Sequence, residues 1–140
     1  MTMPLLVSGI AMDYSKPSRS RRYYSPGVVE KALAELNAKI AAGEHIPGTF
    51  IMDERDVSVL DELGFNETNT SHLVREAKLD GAKLIVSVMT VSSPLGNLLE
   101  AAIRADKIAF RPQGTGKVNK DGEVYDYHII SIGAYDPSLV

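Results

Sequence analysis

At 140 residues the chain is the size of one ordinary domain and can bury roughly two-thirds of its unfolded surface. Hydrophobic residues make up 44% and charged residues 24%, a globular composition that excludes a disordered chain. Eighteen acidic against fifteen basic side chains leave a net charge of −3, too mild to point to nucleic acid or a membrane as the overall partner. The absence of cysteine excludes disulfides, thiolate catalysis and cysteine-ligated metal centres together.

No apolar run approaches the roughly 18 residues of a spanning helix. The opening Met-Thr-Met-Pro-Leu-Leu-Val lacks the basic head and long apolar stretch of a signal peptide. The expectation is a soluble intracellular protein with one domain over residues 1–140 and no membrane contact.

Leu5 to Met12 is a β-rich apolar run interrupted by Gly9, and reads as a first strand. Residues 13–25 form a loop carrying Lys16, Arg19, Arg21 and Arg22, with Tyr23 and Tyr24 directly after. Ser25-Pro26 supplies an N-cap and a first-turn proline. Val29, Ala32, Leu33, Leu36 and Ile40 then recur at helical spacing, until Gly43 stops the helix near Ala42.

Thr49 to Met52 is a short possible strand, and Asp53 to Asn66 is acidic with Val57, Leu60 and Leu63 spaced for one or two helical turns. Ser71 to Val91 reads as two strands joined at Asp80-Gly81, a dipeptide favoured in type I′ hairpin turns. Lys83 to Val91 is apolar at nearly every position, which predicts a strand buried on both faces. Ser93-Pro94 repeats the cap signal ahead of an amphipathic helix running to about Ala105. Ile108, Phe110 and Pro112 alternate on a strand that Gly114-Thr115-Gly116 is expected to break. Lys120 to Glu123 is a second turn before a last long strand, Val124 to Ala134.

Few groups suggest chemistry. Gly114-x-Gly116 does not open a helix, so a bulge or hairpin is the simpler account than a phosphate loop. Asp53, Glu54 and Asp56 read as a solvated acidic face before they read as paired catalytic carboxylates. His45, His72 and His128 have no metal-ligand spacing, and nothing calls for a cofactor. Ser92 or Ser93 with His72 could form a nucleophile–base pair, although Ser93 also fits a helix cap and no third, orienting residue is apparent. The loop holding Lys16, Arg19, Arg21 and Arg22 beside Tyr23 and Tyr24 is the more specific feature, and reads either as a solvated loop or as an anionic contact surface.

Three stretches carry a family resemblance. RSRRYYSPGVVEKALAEL resembles the Arg-x-Tyr-Pro-like entry into the first helix of tailed-phage prohead maturation proteases of the myovirus type. SHLVREAKLDGAKLIVSVMTVSSPLGNLLEAAIRA is similar to that family's strand, glycine turn, strand and following helix, and YDYHIISIGAYDPS to its closing strand. The resemblance spans nearly the whole chain in the same order. It implies an α+β, herpesvirus-assemblin-like fold: a mostly antiparallel, β-barrel-like sheet with two main packed helices.

The departures bear on activity. The family's catalytic histidine position falls at Met52, and its serine motif falls on Ala109 to Gly114, with Arg111 and Pro112 in place of the serines. Neither a thioether, a guanidinium nor a pyrrolidine can replace the base or hydroxyl nucleophile. The expectation is therefore a non-enzymatic relative of the protease. It would bind the phage capsid as a decoration, cement or head-assembly protein, through Lys16, Arg19, Arg21, Arg22, Tyr23 and Tyr24. Its partners would be the major capsid protein, the scaffold or the true protease, it would form an oligomer or sit on the lattice, and it would be found in the virion and, during assembly, in host cytoplasm. The alternatives are an active serine protease using Ser92 or Ser93 with His72, and a pseudoprotease that regulates the true enzyme.

Overall fold

The computed structural model describes residues 4–17, 21–51 and 69–138. Strand β1 (Leu6–Asp13) is followed by the two-residue β2 (Tyr23–Tyr24) and helix α1 (Pro26–Ala41). Two further short strands, β3 (Pro47–Gly48) and β4 (Phe50–Ile51), precede the hairpin of β5 (His72–Asp80) and β6 (Lys83–Thr90). Helix α2 (Pro94–Arg104) then leads into the hairpin of β7 (Ala109–Val118) and β8 (Glu123–Tyr135). The fold is α+β, with a curled, mostly antiparallel half-barrel and, among the described residues, two helices, as expected.

Both helices begin where the capping chemistry places them. Ser25 Oγ accepts from Val28 N at 3.4 Å, and Ser93 Oγ accepts from Gly96 N at 2.9 Å, each immediately before a proline. Helix α1 buries Val29, Ala32, Leu33 and Leu36, and Gly43 ends it at φ +83°.

One sheet has the order β1-β6-β5-β3, so the β5–β6 hairpin is central. In the other, β8 carries β7 antiparallel on one side and both β2 and β4 parallel on the other. The segment Pro47–Ile51 joins the two, because β3 pairs with β5 while β4 pairs with β8. The second seam lies between β1 and β7. A Cβ on Gly9 would lie 2.7 Å from the Phe110 ring, so the glycine that interrupts β1 is the space into which that buried aromatic packs.

Three expectations need correction. Strand β6 is not buried on both faces: Leu84, Val86 and Val88 are in the core, while Ile85, Ser87 and Met89 face outward and are only half-buried. Among the described residues helices pack on the inner face only, so the ordinary alternation of an antiparallel sheet returns. At the β5–β6 turn Gly81 has φ +61°, but Ala82 is not left-handed. That fits a type II′ turn and not type I′, which needs two such residues. Finally, Gly114-Thr115-Gly116 does not break β7. The strand runs on to Val118 through a register shift between Gln113 and Gly114, where a Cβ on Gly114 would collide with the His128 carbonyl.

Gly9→Ala should cost about 1–3 kcal/mol in urea unfolding, because the Phe110 ring is buried and has nowhere to move. Gly27→Ala, in helix α1 with open space around its Cβ, should instead be neutral or stabilising by up to about 1 kcal/mol. Equal effects at the two positions would show that the β1–β7 seam is not tightly packed.

Candidate functional site

Strand β7, where the resemblance would put the serine motif, packs along the closing strand of the domain. Arg111 pairs with Gly133 and Pro112 with Ile132, and the Arg111 guanidinium lies 6.0 Å from the centre of the Tyr135 ring. Proline is tolerated there because β7 has a ladder partner on one side only, β8, among the described residues. Met52, the matched histidine position, lies outside the described residues, as do Arg19, Asp53, Glu54 and Asp56.

His72 sits at the same stretch of β8. It is fully buried, its Nε2 is 2.6 Å from the Ile132 carbonyl, and its Nδ1 is 2.7 Å from Ser71 Oγ. A carbonyl can only accept, so Nε2 carries the proton and Nδ1 accepts from the Ser71 hydroxyl. Gly48 faces this ring across the β3–β5 pair, and a Cβ there would collide with Nε2 and with the Ile132 carbonyl. A serine donating to an imidazole is in form a nucleophile–base pair, but Ser71 and His72 are both fully shielded from solvent. Here the pair ties two sheets together. Burial pushes the His72 pKa down to about 4, against a smaller opposing effect of the Ile132 carbonyl.

The serines considered as displaced nucleophiles are not joined to it. Ser93 Oγ donates to the Thr70 carbonyl at 2.6 Å and accepts from Gly96 N, so its hydrogen-bonding capacity goes into capping α2. Ser92 is exposed, and both His72 nitrogens are bonded to other groups. His128 is held elsewhere, between Glu35 at 2.9 Å and Asp126 at 3.2 Å, and its hydrogen bond lowers the Glu35 pKa. Among the described residues no group of three His, Cys, Asp or Glu is placed to hold a metal. No helix among them is long and apolar enough to cross a membrane.

The cationic loop is divided between two hairpin turns. Lys16 is exposed and follows Tyr14, whose backbone N–H bonds to Ala82 O at the β5–β6 turn. Arg21, at φ +58°, and Arg22 are exposed and lead into β2, where Tyr23 N bonds to Gly122 O at the β7–β8 turn. Tyr24 turns inward and meets Tyr127 edge-on at 5.0 Å, and burial raises the Tyr127 phenol pKa. A groove of about 110 Å³ runs between these elements, lined by Arg22, Tyr24, Pro112, Thr115, Lys117 and Tyr127 among others. Sequence reading found its first two residues and Pro112 but placed them in unrelated features. Lys117 was not singled out, because the β7–β8 register is what brings it to the same groove as Arg22.

This arrangement of strands, helices and crossing segment has a counterpart among solved structures. The capsid assembly protease of bacteriophage T4, gp21, superposes with a TM-score of 0.70 over 93% of this chain and 80% of that one, at 16% identity. The chain has a phage prohead-protease fold. No family model matches the sequence, and no curated protein matches it. At 16% identity the likeness carries the fold alone, so activity has to be argued from the side chains.

The His72 environment has a pH signature. An unfolded chain protonates His72 near 6.5, the folded one only near 4, so between those values the unfolded state binds the extra proton. Stability should be complete above about pH 6.5 and fall by up to about 3 kcal/mol as pH drops to 4. Urea unfolding of His72→Gln should be weaker at pH 7 and nearly flat across that window. An unchanged slope in the variant would assign the acid sensitivity to other groups.

Proposed function

We infer that this chain is a non-enzymatic phage head protein built on the protease fold, acting by binding to the capsid during or after assembly. What carries this reading is that Arg111 and Pro112 of β7, the positions the resemblance assigns to the serines, bear no hydroxyl. The burial of His72 and the commitment of both its nitrogens support it, since a base closed off from solvent cannot meet a peptide bond. The capsid assembly role named for the T4 neighbour supplies the setting.

Docking would use the exposed cations Lys16, Arg21 and Arg22, together with Arg19, Tyr23 and Tyr24, against an acidic capsid surface. Charge in such a position aids encounter and register more than it adds affinity. Whether the partner is the major capsid protein or a scaffold is decided by where the protein ends up. Hundreds of copies in purified mature heads would mark decoration, and its loss on maturation would mark a transient assembly role.

Activity and binding are tested separately. A fluorophosphonate probe should label no residue, and the chain should cleave neither itself nor a capsid scaffold protein. Stoichiometric labelling of Ser92 or Ser93 that disappears in His72→Gln would establish a protease instead.

Arg19→Ala/Arg21→Ala/Arg22→Ala should weaken binding to capsids and reduce its salt dependence while leaving the thermal midpoint nearly unchanged. Exposed charges contribute only about 0–1 kcal/mol to folding and are screened over about 8 Å at physiological salt. Unchanged capsid binding by the triple variant would remove this loop from the interface.

A further inference from the structure

The outer face of the β1-β6-β5-β3 sheet is apolar where a solvated face should be polar. On β1 the outward residues are Leu6, Ser8 and Ile10, with Leu6 68% and Ile10 51% exposed. The β6 register sets Met89 beside Leu6, Ser87 beside Ser8 and Ile85 beside Ile10. Leu73 of β5 continues the first row next to Met89, and Pro47 of β3 completes it. Leu6, Ile10, Leu73, Ile85 and Met89 all lie outside the hydrophobic core cluster and the residues packed on it. This is a contiguous patch and not a scatter of single exposed side chains.

The patch is self-complementary. Its middle row is the hydroxyl pair Ser8–Ser87, 2.7 Å apart, flanked along the strands by apolar rows on both sides. A two-fold axis lying along that middle row, across the strands, sets Leu6–Met89 of one copy on Ile10–Ile85 of the other and faces hydroxyl with hydroxyl. Arg75 and Glu76, both exposed, sit at the β5 end of the serine row, where Glu76 pairs with Ser87. The same axis brings Arg75 of one copy to Glu76 of the other. It also sets the Lys78 stem of one copy, at the β5 end of the Ile10–Ile85 row, over Leu73 of the other.

We propose that this face binds a second copy of this chain, forming a two-fold dimer of packed sheets. Four strands about 4.8 Å apart and some 14 Å of strand length, with side-chain margins, give roughly 400 Å² per copy. That is about half of a standard interface, so the dimer is weak in solution and forms only at high protein concentration.

Sedimentation equilibrium of the full chain, carried up to about 1 mM, tests this. The wild type should self-associate to a dimer, and Ile10→Glu and Leu6→Glu should each weaken association at least tenfold with unchanged thermal midpoints. Tyr125→Glu, a change at an exposed aromatic on β8, should leave association intact. A wild type that stays monomeric at the top concentration overturns the proposal, including when the face is found to hold a different protein. So does association that survives both glutamate substitutions, or that Tyr125→Glu abolishes equally. If one glutamate variant unfolds, the other decides the outcome.

Discussion

His72 has to give its Nε2 proton to the Ile132 carbonyl and take one at Nδ1 from Ser71, and every other feature of the domain's middle is arranged around that requirement. The imidazole belongs to the central hairpin of one sheet, and the carbonyl belongs to the long closing strand of the other. Between them runs Pro47–Ile51, which pairs first with β5 and then with β8 and must have a glycine where it passes the ring. The Ser131 hydroxyl donates to the Pro47 carbonyl at 2.6 Å, and Ala134 N donates to the Thr49 carbonyl, so the crossing segment is stitched to β8 on both sides of Gly48. A buried polar network of this kind is tolerable only when each member is satisfied. Burial, against the smaller opposing effect of the Ile132 carbonyl, keeps the ring neutral at ordinary pH.

The same requirement fixes what His72 itself can do. An imidazole used to join two sheets is not available as a general base, whatever serine lies near it in sequence. Ser93, the most suggestive of those serines, is committed to a helix cap and to the Thr70 carbonyl. At β7, the guanidinium of Arg111 lies by the Tyr135 ring and Pro112 gives up a backbone donor, which an edge position allows. The geometry is that of a strand that packs and presents a surface.

The two surfaces to which binding is ascribed lie in different places. Lys16, Arg21 and Arg22 lie by the hairpin turns, whereas the apolar rows lie on the outer face of the β1-β6-β5-β3 sheet. A weak dimer contact and a salt-sensitive docking surface can therefore operate at the same time without competing for residues. Linked weak contacts gain through effective concentration what each lacks alone.

Local signals in the sequence were enough for both helices, because capping and apolar spacing act within a few residues: Ser25-Pro26 and Ser93-Pro94 start them where the periodicity says they should. The long hairpins were legible for the same reason, and with them the run of strand, helix and hairpins through the second half. The short strands β2 and β3 were not, since two residues hold no period and pair only with distant partners. Nor was the run of β7 through its glycines, which depends on a bulge that only the β8 register creates. The burial of His72 and the grouping of Lys117 with Arg22 likewise required partners some sixty to ninety-five residues away. Which face of β6 would be bare depended on where the helices dock, and periodicity alone does not encode that when both faces of a strand are apolar.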